Sequence, residues 1–166
     1  MSSSTDLTYH LEMRYPVELV PRAAAQPIQV TYREGDVAFS REMYLRVGEQ
    51  WAWNDRRQWS QQQWQAHYDQ GTTRTYAGEV DGELIGYFEL DTSTDTEVEI
   101  IYFGLLPHAI GRGLGGGFLT ACIQAAWAIP GTERVWVHTC TNDHQHALQN
   151  YQARGFTLFH TQDGCH

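Results

Sequence analysis

The stretch Pro107-His108-Ala109-Ile110-Gly111-Arg112-Gly113-Leu114-Gly115-Gly116-Gly117 decides how the rest of the chain is interpreted. It lies between a strand-like segment and a long apolar run, residues 113–128, which is typical of a buried helix. Glycines let the backbone approach a ligand closely, and the amide groups that open a helix face it with the positive end of the helix dipole. The stretch therefore predicts a phosphate site, with tight helix packing as the alternative.

The composition narrows the choice of phosphate ligand. All eleven cationic residues are arginine and no lysine occurs, which excludes a P-loop. Gly111, Gly113 and Gly116 also fit the spacing of a dinucleotide fingerprint, but that motif needs its first glycine directly after the strand, and here it follows Leu105 by several residues. What remains is a loop that binds a diphosphate mainly with backbone N–H groups, beside the Arg112 cation.

Outward from this stretch, strand-like and helix-like segments alternate. The turn Asp81-Gly82 between two alternating apolar runs predicts a β-hairpin. Strands are predicted at residues 8–13, 28–32, 73–80, 84–90, 98–106, 134–139 and 156–159, and helices at residues 36–47, 60–71, 113–128 and 144–154. This order predicts an α/β (α+β mixed) fold with a mixed, mostly antiparallel sheet and helices on both faces. We expect one domain over residues 1–166, with residues 1–27 as an N-terminal arm.

Two motifs in order resemble the GNAT superfamily of acyl-CoA-dependent N-acyltransferases. Ile110-Gly111-Arg112-Gly113-Leu114-Gly115 is similar to its [QR]-x-x-G-x-[GA] signature, with Ile110 in place of the polar residue. Further on, His144-Gln145-His146-Ala147-Leu148-Gln149-Asn150-Tyr151-Gln152-Ala153-Arg154-Gly155-Phe156 resembles N-x-x-A-x-x-x-Y-x-x-x-G-[FY], with His144 where asparagine is usual. The resemblance covers residues 73–156, about half of the chain.

The resemblance implies a coenzyme site and a reaction. Acetyl-CoA would be the acyl donor, transferred directly to an amine within a ternary complex. Backbone groups of the strand before the glycine loop would bind the pantetheine arm. The implied coenzyme-binding residues are Phe103, Gly104, Leu105, Ile110, Gly111, Arg112, Gly113, Leu114, Gly115, Gly116, His144 and Ala147.

Acyl transfer to an ammonium group requires a proton acceptor and a proton donor. The resemblance gives the donor role to Tyr151, one helical turn after Ala147; the alternative is a core tyrosine. Glu99 lies on the strand that leads to the glycine loop, where related enzymes carry the base. A partly desolvated carboxylate there would suit that role, and the alternatives are a solvated Glu99 and ordered water as the base.

An aromatic segment before the hairpin is the predicted acceptor site. Trp51 and Trp53 could contact a cationic amine through their rings, and Arg56 or Arg57 could pair with a carboxylate. These contacts together would select an amino-acid-like acceptor. The alternative is that Trp59 and Trp64, which follow in the same segment, belong to the core and that the two arginines are solvated.

Cysteine and histidine residues raise two further hypotheses. Cys122, Cys140 and Cys165 occur without a secretory signal, so we expect reduced thiols rather than a disulfide. His138 and Cys140 near His144 and His146 have a spacing that superficially suits zinc, but no second cysteine is near. We expect no metal, and a nucleophilic Cys140 lacks a base partner.

The charge balance favours cationic small molecules as partners. The formal net charge is −9 at pH 7, and nucleic acids and anionic membranes need clustered basic residues instead. Residues 1–6 are polar and Ser-rich, so we expect a cytoplasmic protein without a membrane span, and a homodimer is left open. The predicted function is a small-molecule amine N-acetyltransferase, with a protein N-acetyltransferase and a non-catalytic acyl-CoA-binding module as alternatives.

Overall fold

A computed structural model describes residues 6–51, 53–143 and 146–165. The predicted alternation of strands and helices is confirmed there. In chain order the elements are β1 (Leu7–Met13), β2 (Gln29–Tyr32), α1 (Val37–Gly48), α2 (Gln61–Asp69), β3 (Thr73–Val80), β4 (Glu83–Thr94), β5 (Glu97–Leu105), α3 (Gly115–Ala128), β6 (Arg134–Cys140), α4 (Ala147–Ala153) and β7 (Thr157–Asp163). None of these helices combines the length and apolar character that a bilayer-spanning helix needs.

All of these strands form one sheet in the order β2-β3-β4-β5-β6-β1-β7. Only β5 and β6 run parallel, and the other neighbouring strands are antiparallel. The predicted mixed, mostly antiparallel sheet is confirmed. The β3–β4 hairpin turns at Asp81 and Gly82, which have φ angles of 51° and 82°. Positive values at both positions are what a type I′ turn requires, and the Asp-Gly pair supplies them.

Helices cover both faces of the sheet, as the sequence predicts. Tyr87 and Phe88 are consecutive in β4, so their side chains point to opposite faces. Tyr87 packs with residues of α1 and α2. Phe88 packs with residues of α3 and with Tyr151 of α4. The two hydrophobic layers therefore hold α1 and α2 against one face and α3 and α4 against the other.

The parallel pair β5–β6 opens partway along its length. The strands are paired from Glu97 with Arg134 to Ile100 with Val137, and pairing stops there although both strands continue. The backbone groups beyond this point line a cleft instead of a sheet. This opening positions the candidate site.

The segment predicted as an N-terminal arm is built into the fold. β1 lies between β6 and β7, and the chain that follows it crosses the start of α3. The amide of Ala25 donates to the carbonyl of Gly113 at 3.0 Å. A Cβ at Gly117 would lie only 2.5 Å from that of Ala24, so glycine is needed for this close crossing.

Candidate active site

The cleft between β5 and β6 has a volume of about 690 Å³, within the range of ligand pockets. Its walls come from the ends of both strands, the glycine loop, the start of α3 and one side of α4. The predicted residues that line it are Trp51, Trp53, Phe103, Gly104, Leu105, Ile110, Gly111, Gly113, Leu114, Gly115, Gly116, Ala147 and Tyr151. His144 lies outside the described residues.

The glycine loop presents backbone donors at one end of this cleft. Gly111 and Gly113 have φ angles of 82° and 74°, which non-glycine residues rarely adopt. The loop leads into α3, where Leu114 occupies the N-cap position and has no side-chain acceptor for the first amide groups. The first turn of α3 can therefore bind an anion, and the cleft dimensions and donors fit the diphosphate of an acyl-CoA.

Arg112 does not lie in the wall of the cleft. Its guanidinium donates to Glu83 Oε1 at 3.1 Å and to Gln26 Oε1 at 3.3 Å. The cations that line the glycine-loop end are Arg22, from the segment after β1, and Arg154, which follows α4. Sequence reasoning missed both residues because they are far from the loop along the chain.

Gly104 serves helix packing. A Cβ at this position would lie 2.4 Å from Cγ1 of Val47 on α1, so α1 can approach β5 only because residue 104 lacks a side chain. The resemblance implies that Gly104 also takes part in coenzyme binding. Its backbone lines the cleft, and that role remains a prediction.

Tyr151 places its side chain between the core and the cleft. The residue is 8% exposed, and its ring packs against Phe156. Burial raises the pKa of Tyr151, chiefly by desolvation, so the phenol keeps its proton at neutral pH. A protonated hydroxyl group in the cleft wall can donate to a developing anion.

Glu99 does not line the cleft itself but contacts His138, which does. Its Oε2 lies 2.9 Å from Nδ1 of His138, and the side chains are 13% and 32% exposed. The two residues are neighbours because Glu99 pairs with Trp136 across β5 and β6, two positions before His138. His138 lines the cleft, whereas Glu99 lies behind it.

Several charged groups face the His138 imidazole. The hydrogen bond with Glu99 is the main cause that raises the pKa of His138, against desolvation, and the charges of Asp143 and Asp55 add to it. His10 of β1 lies beside it, with ring centroids 5.7 Å apart. When Nδ1 donates to Glu99, Nε2 is left as a proton acceptor.

Arg56 is buried away from the cleft. Its guanidinium contacts both carboxylate oxygens of Glu89 at 2.6 and 2.9 Å, and the side chains are 7% and 1% exposed. Tyr68 also donates to Glu89. The structure therefore corrects the interpretation of Arg56 as a partner for a substrate carboxylate, because its donors are already occupied by a protein carboxylate.

The part of the cleft predicted to hold the acceptor is aromatic and acidic. Asp55 lines it and accepts a hydrogen bond of 3.0 Å from the hydroxyl of Tyr102. Trp53 packs against Tyr102 with ring centroids 4.8 Å apart, and Trp51 lies nearby in the wall. Arg57 is exposed and does not line the cleft.

The expectation of three reduced thiols is wrong. Cys140, at the end of β6, and Cys165, after β7, form a disulfide with their Cα atoms 5.4 Å apart. Cys122 is free and buried. The order β6-β1-β7 brings the two distant cysteines together, which a count of cysteines cannot reveal. Within the described ranges, no three His, Cys, Asp or Glu side chains are arranged to hold a metal ion.

One family model and several solved structures resemble this chain. The family model described as "Acetyltransferase (GNAT) family" matches residues 38–156. No curated protein sequence matches the chain significantly.

A GCN5-related N-acetyltransferase from Kribbella flavida superposes with a TM-score of 0.67 at 15% identity, over 93% of this chain and 55% of that one. An IAA acetyltransferase from Bacillus cereus superposes with a TM-score of 0.61 at 21% sequence identity, over 81% of this chain and 79% of that one. An aminoglycoside acetyltransferase from an uncultured soil metagenomic sample superposes with a TM-score of 0.60 at 14% sequence identity, over 76% of this chain and 86% of that one.

These likenesses identify the fold, and the chain spans just over half the length of the Kribbella protein. The family assignment comes from the family model, which covers more than half of this sequence and includes both the glycine loop and Tyr151. The chain belongs to the GNAT family of acetyltransferases.

Proposed function

We propose that the protein transfers an acetyl group from acetyl-CoA to the primary amine of a small cationic molecule, by direct transfer in a ternary complex. The observation that carries this proposal is the convergence on one cleft of a glycine-loop anion site, the Tyr151 hydroxyl and the His138–Glu99 pair. Those are the groups that an amine acyl transfer needs for donor binding, proton donation and proton acceptance.

In the proposed mechanism, His138 prepares the nucleophile. Nε2 accepts the proton that the substrate ammonium loses, while Glu99 holds the ring through Nδ1 and stabilises the imidazolium that forms. Glu99, the base expected from the sequence, becomes a positioning residue. The pKa of His138 is raised toward that of an amine. Its imidazole is therefore better matched to this proton transfer than an unperturbed one.

Acetyl-CoA supplies an activated acetyl thioester when bound. The amine nitrogen forms a bond to the carbonyl carbon, and the carbon–sulfur bond breaks with its electron pair on sulfur. Backbone groups of Phe103, Gly104 and Leu105 polarise the carbonyl, and Tyr151 donates a proton to the departing thiolate. As the amide forms, its nitrogen loses its second proton to solvent. His138 then releases its proton to solvent, and solvent returns a proton to Tyr151.

The acceptor site supports a cationic amine rather than an amino acid. Asp55 and Asp143 line the same cleft as Trp51 and Trp53, and carboxylates together with aromatic rings attract positive charge. Arg56 is committed to Glu89 and cannot take a substrate carboxylate. One structure with this fold is named as an aminoglycoside acetyltransferase, after a small-molecule acceptor, which supports a small acceptor over a protein N-terminus.

A panel of amines with acetyl-CoA, followed by detection of free thiol, tests the proposal. Polyamines, amino sugars, amino acids and short peptides with a free N-terminus should be compared at equal concentration. We expect turnover with the first two classes and little with amino acids. Turnover with peptides alone would favour the protein acetyltransferase, and coenzyme binding without turnover on any amine would favour the non-catalytic module.

A further inference from the structure

A disulfide forms part of the wall of the candidate active site. Cys140 and Cys165, which it joins, both line the cleft that also holds His138 and Tyr151. Cys165 is exposed and Cys140 is half-buried, whereas the free thiol of Cys122 is fully buried in the core. The bond between Cys140 and Cys165 is therefore open to a thiol that enters the cleft.

The disulfide lies close to the place where the proposed reaction releases a thiol. His138 and Cys140 are two positions apart in β6, so their side chains share one face of the strand. Two residues span about 7 Å along a strand. In the proposed mechanism the thiol of coenzyme A forms where His138 and Tyr151 act, which places its sulfur beside the disulfide.

One of the two disulfide sulfur atoms is the better leaving group. The amide of Asn142 donates a hydrogen bond to Sγ of Cys140 at 3.2 Å. A hydrogen bond to sulfur stabilises the thiolate, and a more stable thiolate leaves faster in thiol–disulfide exchange. An incoming thiol therefore attacks Sγ of Cys165, the more exposed residue, and releases Cys140.

Hydrogen bonds keep the two cysteines close together when the bond between them opens. The amide of Gly164 donates to the carbonyl of Asp6 at 2.8 Å, and the hydroxyl of Thr8 donates to the carbonyl of Gly164 at 2.7 Å. Thr8 is also the partner of Cys140 in the pairing of β1 with β6. A released Cys140 thiol therefore stays near Cys165 and can close the disulfide again.

We propose that the Cys140–Cys165 disulfide is a covalent attachment site for coenzyme A. The thiolate of coenzyme A forms a bond to Sγ of Cys165, and the Cys140–Cys165 bond breaks with its electron pair on Sγ of Cys140. Coenzyme A loses one proton to solvent and the Cys140 thiolate gains one, so one disulfide replaces another without an oxidant.

The attached coenzyme occupies the donor cleft until Cys140 displaces it. Accumulating product therefore inhibits the enzyme slowly and reversibly. The inference rests on the proposed use of acetyl-CoA, whose product is the attacking thiol.

Intact-mass spectrometry of the oxidised full chain tests the attachment. Excess coenzyme A should add the mass of one coenzyme A, and peptide mapping at acidic pH should locate it on Cys165. Glutathione, a thiol without the parts that bind the cleft, should react at least about 10-fold more slowly, because binding in the cleft raises the local thiol concentration. C122A keeps the disulfide and should react as wild type does.

Two cysteine variants test the exchange and its reversal. C165S has no disulfide, so coenzyme A should add no mass. In C140S, Cys165 should form the same adduct with the disulfide form of coenzyme A, and this adduct should persist after desalting because the resolving thiol is missing. The wild-type adduct should disappear after desalting.

Progress curves of acetyl transfer give a second measurement. As coenzyme A accumulates, the rate of the oxidised wild type should fall with time, and dithiothreitol should restore it. C165S should show only the immediate, competitive inhibition that a bound product causes.

The inference fails if no adduct forms at coenzyme A concentrations that saturate the cleft by calorimetry, or if glutathione reacts as fast as coenzyme A. Either result leaves the proposed function intact when acetyl transfer is observed. An adduct on Cys165 without acetyl transfer to any amine would support the attachment site and contradict the function. Absence of both adduct and coenzyme binding would overturn both.

Discussion

Two carboxylates on neighbouring strands each hold a basic side chain, and their surroundings differ. Glu89 of β4 and Arg56 are almost fully buried, at 1% and 7% exposure, and Tyr68 adds a further donor. Glu99 of β5 and His138 are 13% and 32% exposed and border the cleft. The same type of pair therefore supports the fold in one place and can exchange a proton with a ligand in the other.

Whether a pair can change its charge depends on its basic residue, arginine or histidine, as much as on its burial. Burial alone would lower the pKa of Arg56, but the Glu89 carboxylate outweighs it and raises the pKa, so this side chain stays charged at every accessible pH. Histidine has an ordinary pKa near neutrality, and the hydrogen bond with Glu99 raises the pKa of His138 above it. Only the second pair can change its charge during catalysis.

The largest expected effect comes from removing the imidazole. H138Q should lower kcat/KM by about 100- to 10,000-fold, the range of a general base, while the free energy of unfolding changes by less than about 1 kcal/mol. Steady-state kinetics and urea unfolding measure the two quantities. H160Q, a change at an exposed histidine of β7, is the matched control and should leave both unchanged. Full activity in H138Q would refute the assignment.

The buried pair should show the reverse pattern. E89Q leaves the Arg56 charge uncompensated in the interior, which should lower the free energy of unfolding by about 3 to 5 kcal/mol. Urea denaturation at pH 7 measures this loss. In E99Q the loss should stay within about 1 kcal/mol, because that site is partly hydrated. Equal losses in the two variants would remove the distinction between the pairs.

The pH dependence of activity separates a base from a positioning residue. Neutral His138 accepts the proton, so kcat/KM should rise with pH through a value above about 6.5, the unperturbed pKa of histidine. E99Q removes the main cause of the raised pKa, so its acidic limb should move to lower pH. An acidic limb near pH 4 in wild type would instead indicate a carboxylate base.

The same pair predicts how stability changes with pH. The pKa of His138 is higher in the folded than in the unfolded state. Its contribution to stability is therefore complete below the unfolded-state pKa and disappears as the pH rises through the folded-state pKa. Urea unfolding at a series of pH values should show this decline in wild type, and the decline should be weaker in E99Q.

The smallest expected effect concerns the hydroxyl beside Glu89. Y68F removes one donor but leaves the Arg56 pairing intact, so we expect a loss of about 1 kcal/mol in the free energy of unfolding. Y32F, at a tyrosine that is 41% exposed, should cause no measurable change. A loss in Y68F as large as in E89Q would mean that the phenol, rather than the arginine, holds the carboxylate.

Local patterns in the sequence predicted the fold and the loop well. The Asp81-Gly82 turn, the strand alternation and the glycine run depend on neighbours along the chain, and all appear in the structure. The predicted roles of Tyr151 and the coenzyme-binding residues remain predictions. The sequence raised His138 only as a possible zinc ligand, and its pairing with Glu99 was not predicted because it depends on the register of a parallel pair.

Other features depend on contacts between distant segments. The Cys140–Cys165 disulfide forms only because β1 separates and aligns β6 and β7. The approach of Arg22 and Arg154 requires the crossing of α3 by the N-terminal segment. The burial of Arg56 depends on a carboxylate from another element, and its sequence neighbours, all polar or aromatic, suggested an exposed loop.

The position of β1 in the sheet also has a consequence for synthesis on the ribosome. β1 is synthesised first, yet its two neighbours in the sheet are β6 and β7. Arg134, which donates a hydrogen bond to Glu12, is synthesised 122 residues later. At roughly 5 to 20 residues per second, that interval lasts about 6 to 24 s. During it Leu11 and Met13, fully buried in the finished protein, have no sheet partner. The nascent chain is therefore exposed to misassociation until its last strands emerge.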